Sequence, residues 1–293
     1  MTSPLRTHQV LVLGAHESGK TTFVVQLLGR VQRVAEGRLR ARTAPTSIGP
    51  YRAALERIEE GLAPDHTETA LFAETPLPLV HDRSGPVDLM WPEYAGETLQ
   101  SMVASRRIPR RWVERCQESD VWLVFVRLST TFVPEDVISR RILPRAGGDD
   151  VPQAEDEELT ALSGQASLVE LLQMLLHLRG SAITPGVKRP VLGVLLSRFD
   201  EVQARHGPER RQPDLILRER LPLVASFVDS VWAPDSRVIL GVAATGRPLL
   251  RDEPDLDFIL EGPERQGYVV LPDGTENSDL TLAVSLPLDL LDG

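Results

Sequence analysis

An α/β fold built on a mostly parallel sheet is predicted by three features of this sequence. Short, near-continuous apolar runs recur along the chain and end in small or polar residues, the texture of strands covered on both faces. Segments with apolar residues at helical spacing lie between them. One strand-to-helix passage contains the stretch LVLGAHESGKTT, Leu11 to Thr22, in which a glycine-bearing loop joins the two elements.

The elements follow in order. The runs QVLVLGA (Gln9 to Ala15), VDLMW (Val87 to Trp91), VWLVFVRLS (Val121 to Ser129), VLGVLLS (Val191 to Ser197) and RVILGVAA (Arg237 to Ala244) are the principal strands, and a further strand is expected near Glu74 to Asp82. Helical spacing predicts a helix after Gly19, with Phe23, Leu27, Val31 and Val34 on its apolar face, and a short helix over Tyr51 to Leu62. SLVELLQMLLHLRG, Ser167 to Gly180, has a serine at its cap position and a terminal glycine. Asp214 to Trp232 is helical, with Pro222 interrupting it. Arg145 to Leu159 is acidic and rich in turn formers, so it is expected as an exposed loop. Gln266 to Val284 has the pattern of a hairpin turning at Pro272 to Gly274, followed by a short terminal segment.

The chain has 293 residues, 42 acidic and 32 basic, for a net charge of −10. That balance argues against a general nucleic-acid or anionic-membrane binder, so neither partner is expected. Arg107, Arg110, Arg111 and Arg115 cluster locally and are read as a solvated helix face. The single cysteine, Cys116, excludes a disulfide framework and has the neighbours of a small core residue. No run is long enough to span a bilayer and no signal-peptide pattern opens the chain, which gives a cytoplasmic location as the expectation.

Only two of the 32 basic residues are lysines, Lys20 and Lys188. Lys20 stands where a compact, flexible ammonium cannot be replaced by a planar guanidinium. Gly14-Ala15-His16-Glu17-Ser18-Gly19-Lys20-Thr21 fits G-x-x-x-x-G-K-[ST], a phosphate-binding loop, in its required strand-to-helix setting. The loop's N–H groups and the positive end of the following helix converge on an anion. Lys20 would reach the β- and γ-phosphates, with Thr22 beside them. Thr21 would place its hydroxyl on Mg²⁺, a hard ion that takes oxygen ligands. Chance gives such a match in roughly one chain per thousand of this composition. The lysine is expected to be exposed to its ligand.

Two strand ends bear on the base. Ser197-Arg198-Phe199-Asp200 resembles the N/T-K-x-D element of P-loop GTPases, with Ser and Arg as departures. A carboxylate there accepts from guanine N1–H and the 2-amino group, whereas adenine leaves it unpaired. Arg198 would cover the base face. Taken alone, Asp200 is equally a cap for the next short helix. Ala243-Ala244-Thr245 occupies the place of the S-A-K-like element that meets guanine O6.

Between them, VDLMWPEYAGET resembles the D-x-x-G second switch. Gly96 takes the place of the glycine at the γ-phosphate, Glu93 that of the aspartate near Mg²⁺, and Glu97 that of the water-orienting glutamine of Ras-type enzymes. By the same spacing Thr67, then Thr69, is the first-switch threonine, ahead of Thr43 and Thr46. Arg40, Arg42 and Arg52 are candidate internal donors at the phosphate, each equally an ordinary solvated loop arginine.

Four elements in order across residues 9 to 246 resemble the translation-factor and Ras-like class of P-loop GTPases, and the YAGE switch and inserted helix resemble the bacterial double-GTPase group of conflict and defence systems. The resemblance implies a Ras-like α/β fold, a mostly parallel six-stranded sheet with helices on both faces. It implies a GTPase domain over 1–248, with an extended first-switch region at 37–86 and an acidic loop insertion at 145–160. It says little about the remainder, which is expected as a C-terminal extension over 249–293 that contains the hairpin and packs on the GTPase domain. It implies GTP/GDP and Mg²⁺ as ligands and a protein partner that reads the nucleotide state, such as a GTPase-activating or paired GTPase. The departures at Glu93 and Glu97 keep a non-hydrolysing nucleotide-binding scaffold as the alternative, with a P-loop ATPase or small-molecule kinase behind it.

Overall fold

The computed structural model describes residues 6–15, 18–43, 49–64, 76–90, 102–103, 105–128, 164–181, 184–201 and 212–291. Strands are β1 His8–Gly14, β2 Leu39–Ala41, β3 Leu77–His81, β4 Gly85–Met90, β5 Val121–Arg127, β6 Val191–Ser197, β7 Arg237–Ala243, β8 Tyr268–Val270 and β9 Glu276–Asn277. Helices are α1 Lys20–Arg33, α2 Gly49–Glu59, α3 Arg110–Glu118, α4 Gly164–Leu178, α5 Pro213–Arg220, α6 Pro222–Val231, α7 Leu256–Glu261 and α8 Leu282–Asp289.

The strands form one sheet in the order β2-β3-β4-β1-β5-β6-β7-β8-β9. Its centre, β4-β1-β5-β6-β7, is parallel throughout. Both edges are antiparallel: β3 and β2 on one side, β8 and β9 on the other. The expected six strands are β3-β4-β1-β5-β6-β7. Beyond them β2 extends one edge and the β8–β9 hairpin the other, so half of the strand pairs are antiparallel. The β8–β9 hairpin is the one expected to turn at Pro272 to Gly274, whereas β2, at three residues, is too short to show a period in sequence.

The central strands are apolar on both faces and split their side chains by the strand period of two. Val10, Val12, Leu123 and Phe125 point into one core with Phe23 and Leu27 of α1 and Val284 and Leu288 of α8. Leu11, Leu13, Trp122 and Val124 point into the other with Trp112 of α3, Leu172 and Leu175 of α4 and Val228 of α6. Cys116 is fully buried in that second core, and burial pushes its thiol up to about 12. It packs as a small inert residue. Of the arginine cluster, Arg107, just before α3, and Arg110 and Arg111 on it are exposed, with Arg110 paired with Glu114 one turn on, while Arg115 is half-buried and pairs with Glu118.

Three helix boundaries differ from expectation. α4 begins at Gly164, so Ser167 lies within the first turn and does not cap it. Pro222 does not kink one helix. It opens a second, at the first-turn position where its missing N–H costs nothing, and Leu221 forms the corner. The terminal segment is α8, whose Leu282, Val284 and Leu288 are buried. Each such side chain contributes about 1.5–3 kcal/mol. No helix among the described residues is long and apolar enough to cross a membrane.

Candidate nucleotide-binding site

In a parallel sheet all strands end on the same side, and crevices form beyond those ends. β1 ends at Gly14, β6 at Ser197 and β7 at Ala243, so the glycine-rich loop and the two candidate base-reading turns emerge together. A side chain at Gly14 is impossible: a Cβ there would lie 2.7 Å from Ser18 Oγ and 2.8 Å from the Phe125 carbonyl. Gly19 forms the N-cap of α1 in the left-handed conformation, at φ 80°.

Lys20 is not exposed. It keeps 8% of its surface and turns back under the loop, where Nζ donates to the carbonyls of Gly14 at 2.7 Å and Ala15 at 2.6 Å and to Ser18 Oγ at 3.1 Å. The expected exposure is therefore corrected: the ammonium is buried and donates to the loop's own oxygens. Those partners are neutral, and burial lowers its pKa from 10.5 to about 7.

A cleft opens at these strand ends. Gly19 and Thr22 line it from the loop and α1, Ser197, Arg198 and Asp200 from the turn after β6, and Ala244 and Thr245 from the turn after β7. Three stretches far apart in sequence thus share one cavity. Gly14, Lys20, Thr21 and Ala243 stand next to these residues in sequence but are not part of its lining. Burial holds the Asp200 carboxyl above its ordinary pKa, with the Glu201 charge adding to the effect.

The turn after β6 is held from below. Phe199 is fully buried, and its ring lies against β7 at Gly241, where a Cβ would come within 2.6 Å of the ring. That close approach seats Asp200 beside the turn after β7. Arg198 sits at φ 51°, a conformation that costs a non-glycine residue about 1 kcal/mol, and its guanidinium donates to Glu201 at 2.8 Å.

Two further groups complete the cleft: Ala63 and Pro64 after α2, and Arg247, Pro248 and Leu249 after β7. Sequence reasoning missed both. The second group had a signal, since it directly follows the turn at Thr245. The first had none, because its place depends on a contact with residues near 250. Thr43 and the arginines Arg40, Arg42 and Arg52 do not line the cleft, and Arg42 pairs with Asp88 at 2.7 Å. His16, Glu17, Thr46, Thr67, Thr69, Glu93, Gly96 and Glu97 lie outside the described residues.

A family model described as Double-GTPase 1 matches residues 11–286. Comparison with curated proteins gave no match. Among solved structures the chain is similar to the Arl6 BBS3 small GTPase of Trypanosoma brucei with bound GppNp, at 12% identity and a TM-score of 0.42 over 98% of both chains. It is also similar to the GTP-bound Ski7 GTPase-like domain of S. cerevisiae, at 12% identity and a TM-score of 0.37 over 87% of this chain and 48% of that one. A bacterial selenocysteine-specific elongation factor, EF-Sec, gives 11% identity and a TM-score of 0.36 over 82% of this chain and 26% of that one.

Proposed function

The chain belongs to the Double-GTPase 1 family, and from that premise we propose that it is a Mg²⁺-dependent switch that binds GTP and hydrolyses it to GDP and phosphate, slowly alone and faster with a protein partner. The observation that carries this reading is the shared cleft, in which the phosphate-binding loop and both candidate base-reading turns meet. A triphosphate at the loop would draw Lys20 from the Gly14 and Ala15 carbonyls onto the β- and γ-phosphates. An anion restores the charge that burial now opposes.

Among the described residues no group of three or more His, Cys, Asp or Glu could hold a metal. A hydroxyl at Thr21, the second residue of α1, suits an ion that takes most of its ligands from phosphate and water. Mg²⁺, when bound, would neutralise charge that develops on the phosphates. Thr67 and Glu93 are the further metal-side candidates, and Gly96 and Glu97 those at the γ-phosphate, all carried from the family resemblance. On the base side, Asp200 accepts from guanine N1–H and the 2-amino group, Arg198 covers a ring face, and the Ala244–Thr245 turn offers N–H groups to O6.

Slow turnover follows from the arginine inventory. Among the described residues the cleft holds Arg198 and Arg247, and each is engaged by a carboxylate, Glu201 and Glu261 respectively. An arginine delivered by a partner typically adds on the order of 10³ to 10⁵ in turnover. The reading is tested by the nucleotide that purified protein retains, by competition of GTP against ATP, and by single-turnover phosphate release with Mg²⁺. Equal affinity for ATP would overturn the guanine assignment. GTP binding without phosphate release, alone or with candidate partners, would leave the scaffold alternative.

A further inference from the structure

The cleft is closed on one side by two pieces of chain that no motif covers, one in the stretch read as the extended first-switch region and one after the turn at Thr245. Ala63 and Pro64 come from the end of the α2 segment, and Pro248 and Leu249 from the chain after β7. Some 185 residues separate them in sequence, yet they are fastened together. The Ala63 N–H donates to the Leu250 carbonyl at 2.8 Å, and the Asp255 N–H donates to the Gly61 carbonyl at 3.1 Å. Arg57, on the last turn of α2, spans the joint: Nε donates to the Ala63 carbonyl at 2.8 Å and Nη2 to the Arg251 carbonyl at 2.6 Å. The fit leaves no slack. Gly61 has φ 71°, and a Cβ on it would lie 2.7 Å from the Asp255 carbonyl oxygen and 3.0 Å from its nitrogen.

The same C-terminal stretch grips the helix that follows the phosphate-binding loop. Gln26 of α1 donates to the carbonyls of Pro263 and Gln266, and Arg30 donates to the Ser278 carbonyl at 2.7 Å. Residues beyond 246 therefore bear on both the phosphate side and the base side of the cleft.

We infer that Pro64 and Leu249 form the nucleoside-contacting wall of the cleft, and that the Gly61–Ala63 to Leu250–Asp255 joint is a latch that sets how fast nucleotide leaves. This rests on the guanine-nucleotide reading of the cleft. Pro248 and Leu249 follow directly on the candidate base-reading turn at Ala244–Thr245, which also lines the cavity, and that continuity puts this wall on the base side. The part of the ligand it touches is common to GDP and GTP. Opening the latch therefore speeds release of both and leaves the preference between them unchanged. Arg57 and Gly61 are positioning residues, and Leu249 is a contact residue.

The test is release of fluorescently labelled GDP, and of a labelled non-hydrolysable GTP analogue, from the full chain with Mg²⁺. Gly61→Val, Arg57→Gln and Leu249→Ala are expected to accelerate release of both nucleotides, Arg57→Gln by about tenfold for the loss of its two hydrogen bonds. Gly180→Ala is the control. That glycine is also left-handed, at φ 74°, but its Cβ would meet nothing within 4 Å, so it strains the backbone without touching the latch. Release should stay at the wild-type rate there. Should Gly61→Val fail to fold, the part-buried Arg57→Gln carries the test. Wild-type release rates in folded Arg57→Gln and Leu249→Ala would overturn the latch while leaving the guanine reading intact. A wild-type chain that binds no guanine nucleotide would overturn both.

Discussion

Lys20 Nζ lies 2.7 Å from the Gly14 carbonyl oxygen, six residues back along its own loop. The lysine proposed to meet a triphosphate thus donates to neutral loop oxygens, and burial disfavours its charge. Replacing it should separate ligand binding from stability. Lys20→Met is expected to abolish measurable triphosphate binding by calorimetry while raising the urea midpoint of the ligand-free chain at pH 7. A lowered midpoint with binding retained would reject this account of the loop.

The same residue sets a pH dependence whose sign can be worked out. Folding lowers its pKa from 10.5 to about 7, so between those values the unfolded chain holds the proton and the folded chain does not. Stability rises with pH wherever the unfolded state binds more protons. The penalty from Lys20 is complete below pH 7 and is relieved as pH climbs toward 10.5. The difference in unfolding free energy between wild type and Lys20→Met should narrow from pH 7 to pH 9. Above pH 7, triphosphate binding should also take up close to one proton, read from calorimetry in buffers of different ionisation enthalpy. Binding without proton uptake would show that Lys20 does not meet the phosphates.

In the proposed reading, base choice rests on Asp200, which lines the cleft. Asp200→Asn turns a double acceptor into a group that also donates, so guanine affinity should fall and xanthine affinity, with its carbonyl at position 2, should rise. A lost pair to a charged acceptor is worth about 1.5–3 kcal/mol, which a competition assay resolves easily. Because burial raises the Asp200 pKa, acidification should weaken guanine binding to wild type earlier than a solvated carboxylate would. An unchanged guanine-to-xanthine ratio would place the base elsewhere.

Gly241 supports that aspartate from the neighbouring strand. Gly241→Ala sets a methyl within 2.6 Å of the Phe199 ring, and overpacking of this kind costs about 1–3 kcal/mol. The displaced ring should carry the turn with it, so guanine affinity should fall along with thermal stability. A destabilised variant with wild-type nucleotide affinity would show that the turn is seated independently of Phe199.

The chain's local patterns determined the phosphate-binding loop, the apolar strands of the parallel centre and the order in which turns follow them. Each depends on residues within one or two turns of one another. Gly14, Gly19 and Lys20 had to lie at a strand-to-helix junction, and Asp200 and Ala244 at the ends of buried strands, because periodicity and motif spacing are local quantities. Tertiary structure alone decided the rest. Ala63, Pro64 and Leu249 meet in the cleft through a joint between segments some 190 residues apart, made of main-chain hydrogen bonds and the Arg57 side chain's bonds to main-chain carbonyls, and main-chain acceptors and donors carry no sequence signature. Strand β2 exists because β3 offers it an edge, and its three residues have no period of their own to announce it. Lys20 is buried because neighbouring carbonyls can satisfy an ammonium, an outcome set by three-dimensional donor and acceptor geometry that no motif encodes.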